Sequence, residues 1–443
     1  MLTRVRIVVV ALVALVAGVE PARAQLSLIR DAEIETTIRD LSAPVFSAAG
    51  VNPSSVGIYL VNDDRLNAFV AGGQNLFLFT GLLLRSETPE QLAGVVAHET
   101  GHIAGGHLVR LSAAADRAAV EQILATVLGV AVAAIGAPEA GTAIIAGGNQ
   151  FARQGVLSFN RGQEQAADQA AVSYLDTTGI GAKGLLEFFE FLDDQQLGGA
   201  RLNPYLQTHP LTRDRMSFVQ RHVRAQGDRP SRLPADAVER HERMVAKLSG
   251  FLERPDQVYR RYEGRDDFAA RYARVVATYR SNDARAAIRE LEPLLAQEPR
   301  NPYLHELKGQ ILFERGQVAE AIEPYRMAVS LAPNQPLIEF GYGRALLADG
   351  QDNAAVTALE RVVRAEPRNS QAWRTLGIAR GRAGDLGRSN LALAEAAILQ
   401  GVAPDARLYL GRADDLIGGG GTDRQQYLDL LVALEDLERE QRR

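Results

Sequence analysis

Pro299, Pro333 and Pro367 lie 34 residues apart, as do Gly309, Gly343, Gly377 and Gly411, and also Gly316, Gly350, Gly384 and Gly418. Ala287, Ala321 and Ala355 keep a further phase, with Ser389 one period on. Independent columns at one spacing do not arise by chance. A period of 34 is the length of a helix–turn–helix unit, which cannot bury its apolar face alone and must stack on its neighbours. Small residues mark the close helix crossings, and proline marks the unit's end because it cannot continue a helix. The C-terminal half is therefore constrained to antiparallel helix pairs wound into a superhelix with a concave face. The array runs over about 265–420, Gly418 to Gly421 break the chain, and Gln425 to Arg443 read as a terminal helix.

The other half carries chemistry. His98-Glu99-Thr100-Gly101-His102 places two histidines four apart, one turn apart on one helical face. Pro89 opens this helix and helical apolar spacing follows it. Two neutral imidazoles so placed can hold Zn²⁺, with Glu99 one position round beside a reacting water. The bland alternative is an amphipathic helix with surface histidines. Downstream, Glu164 and Asp168 also sit four apart. Glu164 fits as the carboxylate that completes a two-histidine site, and Asp168 as the acceptor fixing the tautomer of a zinc histidine, with His98 the candidate. A solvated acidic face is the alternative, but Ala166, Ala167, Ala170 and Ala171 favour close helix approach. A three-histidine zinc class needs a third histidine ten positions after His98, where Leu108 stands. His107 misses by one and, on a continuous helix, points roughly opposite to His98, so it reads as structural. The expectation is one zinc per chain in a gluzincin-type site.

At 443 residues the chain exceeds one core, and two domains follow. Met1 to Arg6 carry two arginines, Ile7 to Val19 is a short apolar run, and Ala22-Arg23-Ala24 supplies a cleavage site. Residues 1–24 therefore read as a secretory signal with cleavage near Ala24/Gln25, the run being short for a membrane anchor. Removing that segment leaves 46 basic and 53 acidic residues, a formal charge of −7 against −5 for the whole chain. Such a mildly acidic chain without a basic cluster is not a nucleic-acid binder. With no cysteine, disulfides and thiolate metal sites are excluded. The expected domains are a zinc metalloprotease over 25–225, a linker and bridging helix over 226–264, and the repeats over 265–443. The fold class is α+β, predominantly helical, followed by an all-α tetratricopeptide solenoid.

In the first domain, 25–49 read as mainly helical, and Val56 to Val61, Ala68 to Val70 and Leu76 to Phe79 as three strands. A sheet edge beside a zinc helix can pair with an extended substrate, so Asn67, Ala68, Phe69 and Val70 are candidates for substrate contact. A plain hydrophobic hairpin is the equal alternative. Val127 to Ile135 and Ala143 to Ala146, within 120–146, are apolar runs too short to span a bilayer. They suggest a hairpin that shields the cleft or makes a peripheral membrane contact, against plain core packing.

HETGH, then EQAAD, then Thr208-His209-Pro210, with Asn67 to Leu83 upstream, resemble the peptidases that include HtpX and the CAAX-processing proteases. The exported branch of that family carries a tetratricopeptide tail. Asn160-Arg161-Gly162 departs from the family's usual Ser-Arg and a longer polar residue, without touching the ligands. The resemblance implies a periplasmic zinc endopeptidase that degrades stalled or misassembled outer-membrane β-barrel proteins and contacts their assembly machinery through its repeats. It also makes His209 and Arg215 candidates for steadying the oxyanion, whereas from sequence alone His209 is a loop residue. His209 follows the Gly198-Gly199 pair, so it could also fill zinc's fourth position and hold the enzyme latent. The rival class is a chaperone or assembly adaptor with proteolysis suppressed. An adaptor has no use for Glu99.

Overall fold

The computed structural model describes residues 27–107, 161–197, 204–227 and 229–442. Residues 1–24, read above as a signal, the stretch 120–146 and the Gly198-Gly199 pair lie outside the described residues. The first helix, Ala32–Ala48, starts where the Asp31 side chain accepts from the Ile34 amide at 2.9 Å. Its stripe of Ile34, Ile38, Leu41 and Val45 is buried. Four strands form one sheet, β1 (Leu28–Ile29), β2 (Gly57–Val61), β3 (Ala68–Ala71) and β4 (Asn75–Phe79), in the order β1-β2-β4-β3. The three expected strands are present. The two-residue β1, within the stretch read as helical, is an addition pairing Leu28 with Val61 and Ile29 with Leu60. β2 and β4 run parallel, and β3 closes an antiparallel hairpin onto β4 through Gly72 and Gly73, both at positive φ.

Thr88 caps the motif helix Pro89–Ala104 by accepting from the Gln91 amide at 3.2 Å. Leu92, Ala93, Val95, Val96 and Ala97 are all buried, so this helix runs through the core. Small residues bring its neighbours close. A Cβ on Gly94 would lie 2.7 Å from Leu185 Cα in the helix Lys183–Leu197, and one on Gly101 would lie 2.9 Å from Ala167 Cα in the helix over 161–178. That last contact lets Glu164 reach the motif histidines.

Helix pairs from Phe268–Arg280 and Ala284–Gln297 to Ser370–Arg382 and Leu386–Leu399 build the solenoid, closed by Ala403–Asp414 and Thr422–Gln441. The two glycine columns have different causes. Gly309, Gly343 and Gly377 let Tyr325, Leu359 and Leu393 pack against bare backbone, whereas Gly316, Gly350 and Gly384 take the left-handed turn between paired helices. Among the described residues no helix is long and apolar enough to cross a membrane.

The helix Ala237–Leu252 packs Met244 and Leu248 into the core of the N-terminal domain and Ala246 into a cluster with Ala269 and Ala273 of the solenoid. On it Lys247, 1 % exposed, lies 2.8 Å from Asp31, 3.2 Å from Glu33 and 3.9 Å from Glu306. Tyr272 donates to Glu33 at 2.7 Å, and Gln335 donates to Thr36 at 2.8 Å. Three carboxylates thus share one ammonium across the joint, with Glu314 nearby. Burial pushes Glu306 up to about 7, against the pull of Lys247 and with the push of Asp31 and Glu33. A carboxyl raised in the folded state adds stability below its unfolded pKa and loses it as pH rises through the folded value. The melting temperature should therefore fall from pH 6 to pH 8, a change on the order of 1 kcal/mol, and Glu306→Gln should flatten that slope in a calorimetric pH series.

Candidate metal centre

His98 and His102 project from the motif helix with their Nε2 atoms 3.1 Å apart. Glu164 approaches from the neighbouring helix, Oε2 at 3.3 Å from His98 Nε2 and Oε1 at 3.4 Å from His102 Nε2. His209 follows the short helix Pro204–Thr208, with Nδ1 at 3.4 Å from His98 Nε2 and 3.1 Å from Glu164 Oε1. All four side chains are buried, and their ligand atoms lie within 4.8 Å of one another. Zinc with bonds of 2.0–2.1 Å spaces tetrahedral donors about 3.3 Å apart, which is the spacing found. Imidazole nitrogens facing one another at this distance need a shared cation or proton between them. The donor set fits zinc.

Glu99 stands beside this set and is fully buried. Among the described residues neither of its oxygens accepts a hydrogen bond, and Oε1 is 3.5 Å from His209 Nε2. Burial raises its pKa, with His209 and His98 pulling the other way. A buried carboxylate without a hydrogen-bond donor is costly in an ordinary core and is explained by a group that binds there.

Supports surround the ligands. Asp168 Oδ1 lies 2.9 Å from His98 Nδ1. Burial lowers His98, but the hydrogen bonds to Asp168 and Glu164 win and lift it to about 9. Burial, then His98 and His209, press His102 down to about 2. Arg215 donates to Asp168 from Nε at 2.6 Å and from Nη2 at 2.8 Å. Its Nη1 lies 2.9 Å from Glu164 and donates to the Pro210 carbonyl at 2.9 Å, over the Phe189 ring. Every guanidinium nitrogen therefore faces a carboxylate or a carbonyl, and Arg215 lies against Asp168 and Glu164. Tyr205, unnoticed in the sequence, is buried with its ring 4.7 Å from that of His209.

His107 is also brought in, and here the sequence reading needs correction. Its Nδ1 lies 3.0 Å from His102 Nδ1, and its carbonyl accepts from Gln163 at 3.1 Å. The angular count assumed a helix continuing past Ala104. The helix stops there, Gly106 takes a φ of +60°, and Gly105 leaves room for the returning ring. The signal was the Gly105-Gly106 pair. If His102 Nε2 faces the metal, its Nδ1–H donates to His107, which fixes the ring as Asp168 fixes His98. His107→Phe keeps the ring and removes the acceptor. Zinc affinity by chelator competition should fall roughly 10–100-fold, and His107→Asn should restore part of it.

The proposed substrate edge lies on the same side of the domain. β3 is the outer strand and packs against the motif helix. Ala68 and Val70 point into the core, Phe69 stacks on Phe77 with centroids 4.8 Å apart, and the Asn67 carbonyl accepts from the Phe79 amide at 3.1 Å. Phe69 and Ala71 are the partly exposed residues of this strand.

Residues 29–223 match peptidase family M48, and residues 272–336 and 312–377 match tetratricopeptide repeat families. The chain is 28% identical over 414 residues to the Beta-barrel assembly-enhancing protease of Yersinia pestis, covering 92% of this chain and 85% of that protein. It is 28% identical over 429 residues to the protein of the same name from Escherichia coli (strain K12), covering 94% and 87%. Metalloprotease YcaL of Escherichia coli (strain K12) is 27% identical over 186 residues, covering 41% and 68%.

Proposed function

We propose that this metalloprotease, which joins a peptidase family M48 domain to tetratricopeptide repeats, is a periplasmic zinc endopeptidase acting on stalled or misfolded outer-membrane β-barrel proteins. One observation carries the reading: four buried donors at tetrahedral spacing beside a carboxylate that accepts no hydrogen bond. The names of its relatives support the client class, and the leader-like residues 1–24 support export. The repeats would contact the assembly machinery.

His98, His102 and Glu164 would hold zinc, with His209 at the fourth position. Bound there, zinc would supply a Lewis acid that acidifies water and polarises the scissile carbonyl. Glu99 takes the proton from water at its carboxylate and delivers it to the leaving nitrogen. An extended substrate would pair with the backbone at Asn67 to Val70. Asp168 and His107 keep the two motif imidazoles aimed, and Arg215 holds both carboxylates in place.

With His209 as a fourth protein donor zinc would keep no open position in a tetrahedral site, so the resting state would be latent and His209 would leave for turnover. His209→Ala should raise the rate on an unfolded β-barrel protein several-fold over wild type, with Glu99→Gln as the inactive control. A lower rate would assign His209 to the oxyanion instead, and an unchanged rate would remove it from the mechanism. If purified wild-type and His209→Ala proteins both leave unfolded barrels and casein intact, the protease reading fails and the adaptor reading takes its place.

A further inference from the structure

A groove of about 1190 Å³ separates the first helix of the protease domain from the inner face of the repeats. The edge of β2 at Gly57 to Tyr59 forms part of one wall, and Phe313, Phe340 and Arg344 part of the other. The repeat period lets this inner face be followed beyond the groove. Glu306, Phe340, Arg374 and Leu408 occupy one 34-residue column, and Gln310, Arg344, Ile378 and Arg412 the next. The first repeats already hold a ligand on this face, namely the chain's own segment from Arg30 to Thr36. Its Asp31 and Glu33 face Lys247 on the bridging helix, and on the repeats Glu33 accepts from Tyr272, Thr36 accepts from Gln335 and Arg30 pairs with Glu366.

The later repeats continue the same surface without such a cover. Ile378 is 41% exposed and Leu408 50%. Among the described residues no carboxylate pairs with Arg344, Arg374 or Arg412, nor with Arg280 and Arg368 at the groove. Arg344 instead lies over Phe313 and Phe340, 5.1 and 5.8 Å from the ring centroids. The groove's own acids are engaged: Glu35 and Glu366 by Arg30, and Glu314 by Tyr279 and Gln310. The helix Ala403–Asp414 and its cap add Asp405, Asp414 and Asp415, of which Asp414 is paired with Arg424. In a chain of net charge −5 this leaves a strip of unpaired arginines interleaved with exposed aliphatic side chains.

We propose that the inner face from Arg344 to Arg412 docks a peptide segment of another polypeptide that carries glutamates or aspartates between apolar side chains. Two features argue for this occupant. The surface is continuous with one that already seats an acidic segment of this chain, and its arginines lack partners that such a segment would supply. Apolar side chains of the ligand would cover Ile378 and Leu408. The inference deepens the proposed function by naming the chemistry through which the repeats hold a client or an assembly partner.

The test uses the full chain carrying Glu99→Gln and two labelled 16-residue peptides alternating leucine with glutamate or with lysine. Fluorescence anisotropy should show the glutamate peptide binding, more weakly as salt rises, and the lysine peptide failing to bind. Arg374→Glu with Arg412→Glu should lower the affinity roughly tenfold or more, and Ile378→Asp should also weaken it. Arg326→Glu, on the outer helix Val318–Leu331, should leave it unchanged. Equal binding of both peptides, or an unaffected double variant, would overturn the proposal. So would sedimentation showing a wild-type dimer that Ile378→Asp dissociates, because a second copy would then cover the face. Hydrolysis of a short fluorogenic peptide, measured in the same substitutions with Glu99 restored, separates the two readings. Failure of the glutamate peptide to bind the unsubstituted groove while hydrolysis is intact sinks this inference alone, and absent hydrolysis with groove binding intact sinks the protease reading alone.

Discussion

Glu99→Gln should give a folded protein that retains zinc and no longer cuts peptide bonds. Glutamine keeps the shape of the buried side chain and removes the carboxylate that would accept the proton. General-base contributions are about 10²–10⁴-fold, so the remaining rate on casein should be barely measurable. Glu99 is not among the four clustered donors, so metal content by mass spectrometry should match wild type. Replacing His98, His102 or Glu164 should do the opposite and cut metal content itself. Chelation should abolish wild-type activity and lower the melting temperature of wild type and Glu99→Gln alike, since both lose the cation that holds the cluster. An active Glu99→Gln protein would overturn the assignment of the base.

What the sequence could disclose was set by range. His98 with His102, and Glu164 with Asp168, are each one helical turn apart, and a turn is a local property that spacing reveals. The solenoid was legible for the same reason, because each repeat restates its own contacts. His107 was misread because a helical angle was carried past Gly105 and Gly106, where the helix ends. β1 is two residues long and exists through its pairing with β2, so no alternation could announce it. The parallel register of β2 on β4 is likewise a tertiary choice, since alternation fixes which side chains face the core and not which strand lies beside which. Lys247 looks in sequence like one more surface lysine on a charged helix. Its burial follows only when Asp31 and Glu33, at the start of the first helix, converge with Glu306 of the distant helix Pro302–Glu314. The family resemblance supplied His209 and Arg215 as partners of the site, and the two are placed differently, His209 among the clustered donors and Arg215 against Asp168 and Glu164.

That difference sets the last expectation. An arginine reserved for the oxyanion would be held away from the ligand carboxylates, and its loss would slow turnover while leaving zinc and fold intact. Arg215 is instead 2 % exposed and bonded to Asp168 and Glu164, the two acids behind and within the donor set. Removing it leaves two buried carboxylates facing each other with His98 as the remaining cation. Breaking a buried ion pair by deleting one partner costs about 3–5 kcal/mol, a large part of a domain's stability. Arg215→Ala should therefore lower the melting temperature sharply and lose zinc together with activity. Arg215→Lys should recover part of the stability, because one ammonium can replace the charge but not the paired contacts of the guanidinium. Adding Asp168→Asn to Arg215→Ala should cost less than the sum of the two single changes, since each alone strands the other's charge. A stable, zinc-loaded Arg215→Ala protein with only its turnover reduced would return Arg215 to the oxyanion.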